Sequence, residues 1–123
     1  MSTQPTHAYF GTPLDEWMDC YPYELERDAV GLWQVIPSLR KDFGLTGNAL
    51  ESATRTVLIA LLDRGAHPII GSIQHPGTWE RITRYGETPA EIVDAVIAEW
   101  HASGRDPDVG DVWFGLPDFY LEA

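Results

Sequence analysis

The sequence predicts a mainly α fold: a compact bundle of about four helices with at most one small β hairpin. Three observations predict it. Apolar residues recur at three- and four-residue steps over 25–43, 50–62 and 92–100, helix-start signals precede the runs, and glycines close them. The chain of 123 residues is 44% hydrophobic and 11% aromatic, enough for one core without metal or disulfide staples. One globular domain over 1–123 is expected, with residues 1–11 a loosely held arm because they are polar and end in Gly11.

The first helix is predicted over about 13–20. Thr12 is placed to cap it, Pro13 takes the first helical position, and Asp15 and Glu16 occupy the first turn, before Pro22 ends it. Leu25, Ala29, Leu32, Trp33, Ile36, Leu39 and Phe43 then lie along one helical face. Pro37 inside that run is expected to kink or split the helix, since proline removes a donor and crowds the preceding turn. Asn48 and Glu51 have capping-box spacing ahead of the stripe Leu50, Ala53, Val57, Leu58, Leu61 and Leu62. Glu51 and Arg55 are spaced to pair, and Gly65 stops this third helix.

Residues 66–86 are rich in Gly and Pro and predict irregular structure, within which "PIIGSI" could be a short strand and "TWERITRYG" a single helical turn or an edge strand. Thr88, Pro89 and Glu91 open the fourth helix with a full set of start signals. Ile92, Val93, Val96, Ile97 and Trp100 form its buried face, and Gly104 ends it. The stretch "DVWFGL" follows as a short strand, able to join residues near 70 in the single hairpin.

Charge narrows the function classes. Lys and Arg number 8 against 19 Asp and Glu, a net charge of -11. So large a surplus disfavours direct contact with nucleic acid or an anionic membrane, both of which need clustered basic side chains. It favours a cationic protein partner, drawn in by the summed field. Cys20 is the sole cysteine, which rules out an intramolecular disulfide. The opening stretch lacks a basic residue and an apolar core, and the longest apolar run, "VLIALL" over 57–62, is too short to span a bilayer. A cytoplasmic protein, monomeric or weakly dimeric, is the expectation.

Catalytic and metal-binding patterns fare poorly. His7, His67, His75 and His101 lack ligand spacing among themselves. Asp106, Asp108 and Asp111 invite a calcium loop, but its sixth and twelfth positions hold Asp111 and Pro117 rather than Gly and Glu. His75 and Glu80 could form an acid/base pair only if a turn brings them together. Cys20 has acidic neighbours, which disfavour a thiolate. No nucleophile elbow, phosphate loop or dinucleotide fingerprint is present. Neither enzyme activity, a metal nor a cofactor is expected.

Acids and aromatics carry the remaining signal. "GRDPDVGDVWFGLPDFY" packs Asp106, Asp108, Asp111 and Asp118 beside Trp113, Phe114, Phe119 and Tyr120, after the last basic residue, Arg105. A second acidic cluster holds Asp15, Glu16 and Asp19. Rings anchor an interface and charges steer its formation. The partner-binding candidates are therefore Asp106, Asp108, Asp111, Trp113 and Asp118, then Asp15, Glu16 and Asp19. If the chain ends meet, the two clusters make one negative face.

Trp100, Gly104, Arg105, Pro107, Gly110, Asp111, Trp113 and Phe114 give the pattern W-x-x-x-G-R-x-P-x-x-G-D-x-W-F. It resembles the closing segment of a loosely defined group of small acidic bacterial proteins, some of them immunity proteins of toxin systems, including contact-dependent inhibition. "LIALLDRGAHPIIGSI" is similar to a segment recurring upstream in that group, so the likeness covers roughly the second half of the chain. The resemblance implies a protein that binds and neutralises a cognate toxin, and the acid surplus points to a cationic nuclease whose active site it would occlude. It supplies no catalytic residue. The alternatives are a small acidic regulatory or scaffold domain, and a DNA mimic.

Overall fold

Gly31 divides what the periodicity of 25–43 presents as one helix. In the computed structural model, which describes residues 4–121, helix α1 spans Leu14–Glu24, strand β1 Val30–Gly31, and helix α2 Leu32–Phe43. The split expected as one outcome at Pro37 is corrected: Pro37 lies inside a continuous α2, and the break falls upstream. Sheet pairing takes Gly31 away from any helix, since it pairs with Trp113 while its N–H donates to Gln34 Oε1 at 2.7 Å. Pro22 does not end α1 either. It sits in the last turn, where only one backbone donor is forfeited, and the Leu25 N–H closes on the Pro22 carbonyl at 3.3 Å.

Helix α3 spans Gly47–Asp63 and α4 Pro89–Ser103. The capping box expected at Asn48 does not form. Thr46 is the cap residue of α3, without a side-chain cap bond, and Glu51 turns instead to Arg55 and His101. The box at Thr88 does form: the Glu91 N–H donates to Thr88 Oγ1 at 3.2 Å, and the Thr88 N–H donates to Glu91 Oε1 at 3.1 Å. Gly104 then takes φ of 69°, the left-handed cap conformation open to glycine.

The single-hairpin expectation is corrected by a larger sheet. Strands β2 (His67–Gly71), β3 (Trp79–Arg81), β4 (Trp113–Gly115) and β5 (Tyr120–Leu121) join β1 in the order β1-β4-β2-β3-β5. The first four are antiparallel neighbours, and β5 runs parallel to β3. The expected pairing between residues near 70 and near 113 is β2 on β4, with Ile69 opposite Trp113. β3 falls in the stretch that offers an edge strand or a helical turn, whereas β1 and β5 are hidden, because strands of two residues are too short for alternation to show.

Register decides which side chains meet the helices. Val30, Phe114 and Pro68 are paired neighbours, and so share one face; Gly31, Trp113 and Ile69 share the other. Phe114 and Val30 are fully buried in the helical core with Ile36, Leu39, Leu58, Leu61 and Val96. On the opposite face, fully buried Ile69 forms a smaller cluster with Ala29, Trp79 and Trp113. The architecture is mainly α, with helices packed on one face of a small mixed sheet.

Candidate functional site

The C-terminal acids are built into the fold. Arg40, near the end of α2, grips Asp106 with two hydrogen bonds, Nε at 2.7 Å and Nη2 at 2.9 Å. That guanidinium holds the Asp106 carboxyl below its ordinary value, outweighing the opposite effect of burial. Asp111 accepts from the Asp108 N–H at 2.8 Å and from Arg105 at 3.0 Å. Burial pushes Asp111 up, but the Asp108 amide and Arg105 together leave it lowered. Asp108 Oδ1 accepts the Gly110 N–H at 2.9 Å, and Arg105 lies 3.4 Å from its other oxygen. These three acids shape the turn between α4 and β4, and two arginines offset their charge.

Trp113 is half-buried on the outer sheet face, between Trp33 (centroids 6.0 Å) and Trp79 (5.0 Å), and its indole N–H donates to the Val109 carbonyl at 2.9 Å. Asp118 is exposed in a 3-10 turn over Pro117–Phe119. Glu122 and the side chains of Phe119 and Tyr120 lie outside the described residues.

Asp15, Glu16 and Asp19 occupy a different setting. All three are exposed on the outer side of α1, and among the described residues none forms an ion pair. Their inward neighbours, Leu14, Trp17, Met18 and buried Tyr21, pack against the core. Tyr23 continues the outer side near the far end of the helix, 65% exposed.

The N-terminal end of this face is finished by residues 5–13, which include part of the stretch expected as a loose arm. Thr6 bridges Pro13, the Leu14 N–H donates to the Pro5 carbonyl at 3.0 Å, and the Ala8 N–H donates to the Asp42 carbonyl at 2.7 Å. Gln4 Oε1 accepts the Asp15 N–H at 2.8 Å, capping α1 where Pro13 cannot. Inside the turn His7 is only 6% exposed. Its ring packs on Trp17 (4.6 Å), Phe10 (4.9 Å) and the edge of Phe43 (5.4 Å). The turn holds Tyr9 and Phe10 outward at 84% and 68% exposure. Two accessible rings thus stand on the turn that precedes α1, and three carboxylates stand exposed on the helix itself.

Sequence reasoning found the acids but missed the rings. In "HAYFG" only Gly11, at φ of 73°, hints at a turn; the burial of His7 depends on α1 and α2. Nor do other expected chemical sites assemble. The Glu80 carboxylate accepts from Ser72 Oγ at 2.8 Å, and that hydroxyl also accepts the His75 N–H at 2.9 Å. Among the described residues no hydrogen bond or ion pair joins the His75 ring to Glu80. Cys20 is exposed, its thiol directed to the Glu16 carbonyl at 3.3 Å.

An open groove of about 500 Å³ lies between the end of α2, the start of α3 and the end of α4, over Leu50 and Trp100. Its charged groups are mutually engaged: Arg40 with Asp106, and His101 with Glu51 at 2.7 Å. His101 and Arg55 hold Glu51 below its ordinary value. Among the described residues, no three His, Cys, Asp or Glu converge to hold a metal, and no helix is long and apolar enough to cross a membrane. Comparison with protein-family models, curated proteins and solved structures finds no match to this chain.

Proposed function

We propose that this chain is a binding protein that neutralises a basic protein partner, an immunity protein acting on a cationic nuclease toxin by covering its active site. The observation that carries the reading is the outer face of α1. Asp15, Glu16 and Asp19 stand exposed with no basic partner among the described residues, and the turn that precedes the helix exposes Tyr9 and Phe10. Uncompensated carboxylates accelerate encounter with a cationic surface, and aromatic rings supply the apolar contact that slows departure. The net charge of -11 adds to the same long-range attraction. Asp106 and Asp111, spent on Arg40 and Arg105, contribute to that field and less to direct contact.

Co-expression with the product of the gene adjacent to this one, scored for toxicity alone and for growth in the pair, tests the function, and stopped-flow kinetics of the purified pair tests the face. The chain is expected to restore growth. The combined variant Asp15→Asn, Glu16→Gln, Asp19→Asn should associate several-fold more slowly and with a weaker salt dependence. Tyr9→Ser with Phe10→Ser should dissociate about tenfold or more faster, as expected for anchor residues. Failure of protection overturns the immunity reading. Protection with unchanged kinetics in both variants moves the interface elsewhere.

A further inference from the structure

His7 makes contacts that a protonated ring cannot keep. Its Nδ1 accepts two backbone N–H groups, from Tyr9 and from Phe10, each at 3.1 Å. An atom accepting two donors carries no proton, so the ring proton of the neutral form lies on Nε2, which faces Asp42 Oδ2 at 3.3 Å. Protonation of Nδ1 sets an N–H against two amide N–H groups and breaks both bonds. The amides that would be released belong to the two residues whose rings the turn projects.

The surroundings make the imidazole the pivot of this turn. α2 presents Asp42, the charged group in contact with the ring, together with the edge of Phe43. α1 presents Trp17, whose indole N–H donates to the Tyr21 hydroxyl at 3.0 Å. Tyr21 is kept neutral by burial, which pushes its hydroxyl upward. The turn's own contribution is Phe10. Asp42 also accepts from Ser38 Oγ at 3.1 Å, which fixes the carboxylate on the Nε2 side. Its attraction for a cationic ring therefore acts away from the clash at Nδ1.

We propose that His7 is a pH-sensitive latch. Neutral, it holds the Tyr9 and Phe10 amides; protonated, it frees both and loosens the aromatic tip of the turn. The base of the turn stays closed by the Gly11 N–H on the His7 carbonyl at 2.9 Å and the His7 N–H on the Thr12 carbonyl at 2.8 Å. The consequence for binding rests on the docking role proposed above, whereas the latch itself is intramolecular and measurable without any partner.

Amide exchange and histidine NMR shifts of the full chain between pH 8 and pH 5 test it. The Tyr9 and Phe10 amides, after correction for intrinsic exchange, should lose about tenfold or more of their protection as the His7 ring resonances shift, the loss expected when two hydrogen bonds go. The variant His7→Asn separates titration from turn formation. An asparagine oxygen can accept from the amides two and three residues on, but does not titrate. Its Tyr9 and Phe10 protection should stay flat with pH. Unchanged wild-type protection down to pH 5 overturns the latch, as does an equal pH response in His7→Asn. A working latch with partner affinity unaffected by Tyr9→Ser and Phe10→Ser sinks only the docking role.

Discussion

Gly31→Ala puts a methyl group where two tryptophans already stand. A Cβ built on Gly31 lies 2.5 Å from Trp33 Cδ1, 2.6 Å from Trp33 Nε1 and 3.0 Å from Trp113 Cδ2. The first two separations are well inside van der Waals contact, so the Trp33 ring must move. Backbone strain is not involved: at φ of -87° and ψ of 143° alanine is at ease, and reduced unfolded-state entropy would by itself stabilise by about 0.4–1 kcal/mol. Displacing Trp33 disturbs its packing with Trp113, and through Trp113 the contact with Trp79. Overpacking of this kind costs about 1–3 kcal/mol, so the expected net change is a destabilisation of about 1–2 kcal/mol.

Urea unfolding followed by tryptophan fluorescence measures this as a lower midpoint at unchanged slope. The double variant Gly31→Ala, Trp33→Val makes room for the methyl, and its loss should fall short of the sum of the single losses. A Gly31→Ala midpoint equal to or above that of the parent protein would show that Trp33 yields freely. Trp113 would then not be pinned by the indole pair, and its place among the partner-contact candidates would strengthen.

Asp106→Asn removes the charged half of the bidentate contact with Arg40, and an expected loss of about 1 kcal/mol at pH 7 allows for the 40% exposure of Arg40. Because the folded Asp106 carboxyl is held below its unfolded value, its contribution is complete above the ordinary carboxylate range and vanishes as pH falls through the lowered folded value. Parent and variant unfolding curves should therefore converge in strong acid; a gap that persists there refutes the ion-pair account. Thr88→Ala abolishes the capping box of α4 and should cost about 1 kcal/mol by thermal or urea unfolding, while Thr46→Ala, at a cap without a side-chain bond, should cost clearly less. Equal losses at the two caps would assign the effect to something other than the hydrogen bonds.

Local chemistry determined much of this protein in advance. The Thr88–Glu91 box and Gly104 set both ends of α4 within one stretch of chain, so the sequence displays them. The stops at Gly44 and Gly65 are equally local, since a positive φ suits glycine wherever the helix lies. The acid surplus and the two acidic clusters are properties of composition and position. Tertiary structure decided the remainder, for a physical reason that recurs. β1 and β4 exist because Val30 and Gly31 find Phe114 and Trp113 across a long span of chain, a pairing that outweighs the helical periodicity around it. Asp106 and Asp15 look alike as surplus acids until α2 brings Arg40 to the first and nothing basic to the second. His7 looks like one of four scattered histidines until α1 and α2 close around it, with its own turn donating two amides to one ring nitrogen. Caps and charge depend on neighbours within a helical turn, whereas burial and ion pairing depend on which distant segments the core draws together.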